Sequence, residues 1–264
     1  MNITNISVTP IHIAFEEVNK SATKRGLRVT GVEIVGLVPL QAMIDAGKFY
    51  LKKQQRSVGV SEDEIIKIAI KSMGLDDLYE FKPEEKIIEY MIADKGKSNL
   101  VDMTLKGFIE ETASESPAPG GGSVSAAVGA MGVALGTMVA NLSSHKRGWD
   151  HRWEEFSEWA ERGQQYVREL TGLVDEDTNA FNKIMDAFGM PKGNNEEKEA
   201  RKKAIEEATK YAIEVPLKVM KKASESMEVI LAMAEHGNPN STSDAGVGAL
   251  GALMAVKGAF LNVR

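Results

Sequence analysis

One stretch of the sequence decides the fold of this chain, 116-SPAPGGGSVSAAVGAMGVALGTMVA-140. It joins a proline- and glycine-rich turn to an uncharged segment that predicts a helix from Ser123 to about Asn141. Small residues share one face of this helix: Ala126, Gly129, Gly132, Val133, Gly136 and Ala140. Each glycine inside a helix costs roughly 1 kcal/mol relative to alanine. The pattern therefore indicates that another helix packs closely against this face.

The same segment has to be weighed as a membrane span, because residues 124–140 carry no charge and include Gly132-x-x-x-Gly136. The segment is short for a bilayer, and it consists mostly of alanine and glycine rather than leucine and isoleucine. No aromatic belt flanks it. We therefore expect a buried helix of a folded bundle.

A second small-residue helix is predicted from Asp244 to about Asn262, after the polar turn 237-GNPNSTSD-244. Its small face consists of Gly248, Gly251, Ala252, Ala255, Gly258 and Ala259. We expect the two small faces to meet each other or symmetry mates, or to leave room for a flat ligand. Asn238 and Asp244 are predicted substrate contacts, with plain helix capping as the alternative.

The chain divides into two predicted domains joined by a polar linker over 96–103. Residues 104–264 contain helical stripes separated by short turns, which predicts an all-α helical bundle. Residues 1–95 mix helix signals with a β-branched segment over 27–38, which predicts a strand. The first half is therefore interpreted as a small α/β (α+β, ferredoxin-like) subdomain. It includes a capping box, 61-SEDE-64, at the start of a helix that stops at Gly74.

Asp177 is the most informative single residue. It follows Leu173 by four positions and precedes Phe181 by four, so it falls on an apolar helical stripe. A buried carboxylate is costly, and burial raises its pKa toward the range in which one group both accepts and donates a proton. A structural aspartate, hydrogen-bonded across the bundle or at a helix break near 171–172, is the equally weighted alternative.

The turn 116-SPAPGGGS-123 is the second candidate site. Three successive glycines let backbone N–H groups approach a ligand at the start of a helix. No Gly-Lys-Ser/Thr ends the turn, so it is not a nucleotide-binding P-loop. The predicted substrate-binding residues here are Pro119, Gly120, Gly121, Gly122 and Ser123. A tight helix connection capped by Ser123 is the alternative.

Composition excludes several classes of protein. The formal net charge of −6 argues against a nucleic-acid binder, which needs a basic face. Cysteine is absent, so disulfides, thiolate nucleophiles and cysteine metal sites are excluded, and a cytoplasmic protein is expected. The histidines lack the spacing of a helical zinc site: His12, His145, His151 and His236. We predict no metal and no membrane association.

Several separated motifs carry a family resemblance. They are 116-SPAPGGGSV-124, 174-VDEDTNAF-181, Pro191-Lys192 with Glu196-Glu197-Lys198, Val215-Pro216, and 237-GNPN-240 through Ser243-Asp244. In this order they resemble the cyclodeaminase domain of the formimidoyltransferase-cyclodeaminase family. The resemblance implies that Asp177 is catalytic and that 5-formimidoyltetrahydrofolate is converted to 5,10-methenyltetrahydrofolate and ammonia, in histidine degradation and one-carbon metabolism. It also implies no cofactor beyond the folate, which includes polyglutamylated forms.

The segments 28-RVTGVEIVGLVP-39 and 81-FKPEEKIIEY-90 are similar to the carboxy-terminal subdomain of glutamate formimidoyltransferase. Val32 departs from the serine usual there, and His12 does not match the transferase's catalytic histidine. The resemblance therefore implies an incomplete transferase, with a separate chain supplying the missing amino-terminal subdomain. It also implies a homodimer or larger ring, and a last helical segment that the family adds beyond Arg264. Methenyltetrahydrofolate cyclohydrolase and a non-catalytic folate-binding or assembly subunit are the rival interpretations.

Overall fold

A computed structural model describes residues 1–93 and 99–263 of the chain. The predicted linker over 96–103 lies partly outside the described residues, since 96–98 are not among them, and so does Arg264. The described chain is mostly helical.

The first unit is built from helices that pack around a small apolar core. Their bounds are α1 Ile11–Thr23, α2 Leu40–Lys53, α3 Glu62–Met73, α4 Pro83–Lys86 and α5 Ile88–Ile92. Met43 and Met73, on α2 and α3, are buried at the centre of this core. The predicted start and stop of α3 are confirmed. Ser61 Oγ accepts the Glu64 N–H, and Gly74 ends the helix in the left-handed conformation at φ 65°.

The strand predicted over 27–38 is not formed, and the described residues do not show the predicted α/β ferredoxin-like subdomain. Residues 27–37 form neither a helix nor a strand, and a strand needs a neighbouring strand with which to pair. Val38 makes an isolated bridge to Ile87, and Val32 N–H contacts the Gly74 carbonyl at 3.4 Å. Val35 remains 87% exposed. The β-branched composition therefore predicted a strand that this segment does not form.

The second half is an all-α bundle, as predicted. Its helices are α6 Leu105–Thr112, α7 Gly121–Ser144, α8 Trp153–Gly189, α9 Asn195–His236 and α10 Thr242–Leu261. Short 3-10 turns lie at Leu100–Asp102, Asp150–Arg152 and Pro239–Ser241. The uncharged α7 lies at the centre and packs against α8, α9 and α10. α8 is continuous through 171–172, so the helix break considered from the sequence is absent there.

The two small-residue helices meet each other, which confirms one of the predicted arrangements. A Cβ added at Gly132 would lie 2.7 Å from the Gly248 carbonyl oxygen, so only glycine permits this approach. Gly258 of α10 lies against Ser125, and Asn262 lies against Gly121. The start of α7 is therefore beside the end of α10, and the two helices run antiparallel.

Two described helical segments, Gly121–Ser144 and Pro239–Leu261, are long and apolar enough to cross a membrane by length and composition. Buried residues make up 61% of the most apolar window of the first segment and 28% of that of the second. The first is thus the core helix of the bundle, as the sequence predicted. The second keeps an exposed apolar surface.

Candidate active site

Three successive acidic residues on α8 have three different environments. Asp175 accepts the Leu100 N–H at 2.6 Å and so fixes the chain that leads into the bundle. Glu176 pairs with Lys218 at 2.7 Å and accepts the Tyr211 hydroxyl at 3.0 Å. Asp177 points toward the start of α7 instead. Its neighbours on the α8 stripe, Leu173 and Val174, are buried in the core.

Ser123 holds the Asp177 carboxylate. Its Oγ donates to Asp177 Oδ2 at 2.9 Å, and its backbone N–H also donates to the carboxylate. Ser123 is fully buried, at 0% exposure, so this contact is shielded from solvent. Two donors at the positive end of a helix favour the ionised carboxylate.

Burial acts in the opposite direction and is the larger effect. Removal of the Asp177 carboxylate from water raises its pKa above the ordinary value, while the two hydrogen bonds from Ser123 lower it. The balance leaves the pKa raised. A carboxylate with a raised pKa is a better proton acceptor than an ordinary aspartate, and it can return that proton.

The position of the Asp177 carboxyl group explains why residue 122 of the turn is glycine. A Cβ built there would collide with the carboxyl group of Asp177, which lies directly over the first turn of α7. Gly121 contacts the Asn262 side chain, where a Cβ would lie 3.4 Å from the amide. Gly122 therefore lets a carboxylate from α8 approach the start of α7, and the amide at the end of α10 lies in ordinary contact with Gly121.

A cavity of about 250 Å³ opens beside this carboxylate, and we call it the Asp177 cavity. Its lining residues are Pro117, Ala118, Gly120, Gly121, Gly122, Asp177, Thr178, Phe181, Ile184, Ala212 and Asn262. Most of these present apolar or backbone surface around one carboxylate, one hydroxyl and one amide. An apolar pocket with a few convergent polar groups is typical of small-molecule sites.

The structure brings four predicted site residues together, namely Asp177 and Gly120, Gly121 and Gly122. Two others in the same turn have different surroundings from those expected. Pro119 is buried and does not line the cavity, because its neighbours Pro117 and Ala118 take that place. Ser123 is buried behind Asp177, so it positions the carboxylate and does not face a substrate.

Asn238 and Asp244 do not line the Asp177 cavity within one chain, so their contact with the substrate stays a prediction. Asn238 N–H donates to Ser143 Oγ at 2.8 Å, at the far end of α7 from Gly122. Asp244 lies in the first turn of α10. Because α7 and α10 are antiparallel, the turn that opens α10 lies about 30 Å from Gly122, at 1.5 Å per helical residue.

Sequence reasoning missed several cavity residues, above all Asn262, Thr178 and Phe181. Asn262 carries no motif of its own, and only the antiparallel packing of α10 brings it beside Gly121. Thr178 directly follows the predicted catalytic residue in the sequence, and this adjacency could have identified it as a site residue. Phe181 lies on the predicted apolar stripe, and it is 39% exposed at the cavity.

Within the described ranges, no group of three or more histidine or carboxylate side chains is placed to hold a metal ion. His12 lies in α1, buried against the ring of Phe49 at 4.7 Å between centroids. It belongs to the first unit and has no part in the Asp177 cavity.

Comparison with known proteins matches both halves. The formiminotransferase-cyclodeaminase family model covers residues 104–264, and the formiminotransferase domain model covers residues 1–93. The mouse formimidoyltransferase-cyclodeaminase is 38% identical over 263 residues, which are 99% of this chain and 48% of that protein. The chain thus spans about half the length of that relative.

The helical half also matches shorter proteins. A methenyltetrahydrofolate cyclohydrolase from Methylorubrum extorquens is 40% identical over 160 residues, covering 61% of this chain and 77% of that protein. The solved structure of formiminotetrahydrofolate cyclodeaminase from Thermotoga maritima aligns with a TM-score of 0.53 at 31% identity, covering 61% of this chain and 77% of that one. Taken with the family model across the helical half, these likenesses show that the chain belongs to the formiminotransferase-cyclodeaminase family.

Proposed function

We propose that this chain is a formimidoyltetrahydrofolate cyclodeaminase, which closes 5-formimidoyltetrahydrofolate to 5,10-methenyltetrahydrofolate and releases ammonia. The observation that carries the proposal is the Asp177 carboxylate, which is raised in pKa and lies beside the triple-glycine turn in a cavity with both polar and apolar walls. The Thermotoga maritima relative, named as a cyclodeaminase, supports the same reaction.

In this proposal Asp177 does the proton chemistry. The carboxylate takes the proton of folate N10 as that nitrogen attacks the formimidoyl carbon, and it returns a proton to the nitrogen that departs. Its negative charge also stabilises the cationic carbon centre that forms. A positioned general acid–base contributes about 10²-fold to 10⁴-fold in rate.

The rest of the Asp177 cavity would hold the folate. Phe181 and Ile184 form an apolar wall from α8, and the backbone of the glycine turn faces them. A flat pterin fits between two such surfaces, and the Asn262 amide offers a hydrogen-bonding group. The polyglutamate tail would extend from the opening. No cofactor besides tetrahydrofolate enters this chemistry.

The experiment is to mix the purified chain with 5-formimidoyltetrahydrofolate and to follow the methenyl chromophore and ammonia together. We expect one ammonia for each methenyl group formed, and a loss of turnover in Asp177→Asn. Asp150→Asn, an exposed aspartate on the 3-10 turn before α8, is the matched control. Binding of the folate without turnover in the parent would leave a binding or assembly subunit as the function.

Methenyltetrahydrofolate cyclohydrolase is the second candidate, favoured by the Methylorubrum extorquens relative that matches the helical half at 40% identity. The same carboxylate would then remove a proton from the water that attacks the methenyl carbon. Hydrolysis of 5,10-methenyltetrahydrofolate by the chain, faster than ammonia release from the formimidoyl substrate, would select this reaction over the first.

For residues 1–93 we propose a transferase subdomain whose ferredoxin-like sheet forms when segment 27–37 pairs with strands of an amino-terminal transferase domain. The support is segment 27–37, which forms neither a helix nor a strand and keeps Val35 and Leu37 exposed. Added amino-terminal transferase domain should slow amide exchange across 28–37. Unchanged exchange would contradict the proposal.

We also propose that α10 mediates a homodimer or a larger ring of this chain. Its exposed large apolar residues are Val247, Leu250, Leu253, Met254, Phe260 and Leu261. An exposed apolar patch of this kind is typical of an interface. Leu250→Glu, at a site that is 68% exposed, should reduce the mass measured by light scattering. A parent that is already monomeric would refute the interface.

A further inference from the structure

A second cavity lies beside the Asp177 cavity, and we call it the polar cavity. It measures about 710 Å³ and is lined by Asn99, Leu100, Asp175, Thr178, Asn179, Asn182, Lys183, Asp186 and Tyr211. Its volume is ample for several water molecules, and its amide and charged groups are suited to hold them.

The two cavities lie on nearly opposite faces of α8. Successive residues of a helix are about 100° apart, so Asp177, Phe181 and Ile184 line one face. Asn179, Asn182 and Asp186 line the opposite face, and Thr178 lies between the two faces. On α9, Tyr211 lines the polar cavity and the adjacent Ala212 lines the Asp177 cavity. Thr178 is therefore the side chain of α8 that faces both cavities.

Two hydroxyl groups connect the edge of the polar cavity to the Asp177 carboxylate. Thr178 Oγ1 lies 3.3 Å from Ser123 Oγ, and Ser123 Oγ lies 2.9 Å from Asp177 Oδ2. Ser123 is fully buried, so it has no path to solvent except through its neighbours. A hydroxyl group accepts one hydrogen bond while it donates another, which is what a proton relay requires.

The proposed reaction needs such a path. Ring closure forms the N10–C bond and breaks the bond from that carbon to the formimidoyl nitrogen. A neutral formimidoyl group, together with the N10 proton, carries one proton fewer than the methenyl cation plus ammonia. One further proton must therefore come from solvent, although the folate itself would fill the opening of the Asp177 cavity.

We propose that Thr178 and Ser123 relay this proton from water in the polar cavity to Asp177. Water donates to Thr178 Oγ1, the Thr178 proton passes to Ser123 Oγ, and the Ser123 proton passes to Asp177 Oδ2. Each hydroxyl gains and loses one proton, so neither becomes charged. Asp177 then passes the proton to the amino group, which leaves as ammonia. The relay rests on the proposed cyclodeaminase function, and both residues act through Asp177 as positioning residues.

The test compares Thr178→Val with Thr178→Ser in the full chain, with Thr209→Val as the matched control. Thr209 is an exposed threonine of α9 whose hydroxyl donates to the Ile205 carbonyl. We expect kcat of Thr178→Val to fall roughly 10-fold to 100-fold, with KM retained and the largest loss at alkaline pH, where protons are scarce. Thr178→Ser should recover most of the rate, and Thr209→Val should match the parent.

Rescue by a small acid separates a relay from a structural role. Rising imidazolium concentration should restore kcat of Thr178→Val and leave the parent unchanged. A Thr178→Val rate equal to the parent, or a reduced rate with an unaltered pH profile and no imidazolium rescue, would overturn the relay. Thr178→Ala repeats the comparison if the valine variant misfolds. An inactive parent would refute the cyclodeaminase itself, whereas an active parent with these results would refute the relay alone.

Discussion

Two turns open the two small-residue helices of this bundle, and they have opposite roles. The turn over 116–123 precedes α7, and the turn over 237–244 precedes α10. Both are rich in glycine, proline and capping residues. Because the helices pack antiparallel, the turns lie at opposite ends of the pair, and only the first receives a carboxylate from α8.

The contrast shows what makes such a turn a site. At the second turn the polar groups satisfy each other, since Asn238 Oδ1 accepts the Asn240 N–H at 3.3 Å and Ser143 Oγ accepts the Asn238 N–H. At the first turn Ser123 donates a hydrogen bond to Asp177, an ionisable residue of α8 that lines a cavity. The first turn is therefore a candidate ligand site because a carboxylate from another helix packs against it.

Gly122→Ala should give the largest difference between the two turns. The added methyl group displaces the Asp177 carboxylate, so we expect a loss of methenyl formation of about 100-fold or more. Gly246→Ala is the matched control, because a Cβ there meets open space beside the second turn. It should keep the rate and gain about 0.5 to 1 kcal/mol in stability. Equal rates in the two variants would contradict this assignment.

Ser123→Ala should shift the acid limb of the pH–rate profile. The serine hydrogen bonds lower the pKa of Asp177, so loss of the hydroxyl raises that pKa further. The carboxylate form then appears only at higher pH, and the limb should move up by about one unit. Ser143→Ala, which removes the serine at the second turn, should leave the limb in place. A downward shift in Ser123→Ala would refute the role.

Asp177→Asn should stabilise the protein at neutral pH. The folded state raises the pKa of Asp177, so it binds more protons than the unfolded state between the ordinary and the raised pKa. Stability of the parent therefore falls as pH rises through that window, and the asparagine avoids this loss. We expect a gain of roughly 1 kcal/mol at most. Denaturant melts at several pH values should show the gain vanish below the ordinary pKa of aspartate.

Asn238→Ala should give the smallest effect. The amide caps the 3-10 turn before α10, and loss of such a cap costs about 0.5 to 2 kcal/mol. We expect a lower melting temperature with an unchanged rate of methenyl formation. A fall in rate without a fall in stability would return Asn238 to the substrate site.

The sequence predicted the parts of the site that depend on local pattern. The helical stripe placed Asp177 on an apolar face, and the small faces of the two long helices predicted their contact. What the pattern could not supply was the direction in which α10 runs against α7. That direction brings Asn262 to the site and removes Asn238 and Asp244 from it.

The first unit shows a second kind of feature that the sequence pattern could not predict, the pairing of a strand. The β-branched residues of 27–38 favour a strand, but a sheet depends on partners that a single segment cannot specify. Val35 and Leu37 accordingly lie exposed. Local propensity thus predicted a strand, whereas pairing partners determine whether a sheet forms.

The most direct measurement is a single-turnover assay, with enzyme in excess over 5-formimidoyltetrahydrofolate, of Asp177→Asn and Asp244→Asn beside the parent. It isolates the chemical step from product release. We expect Asp177→Asn to slow methenyl formation by about 10²-fold to 10⁴-fold while it still binds the folate, and Asp244→Asn to react at the parent rate. Equal rates in the parent and Asp177→Asn would contradict the assignment of this carboxylate as the catalytic group.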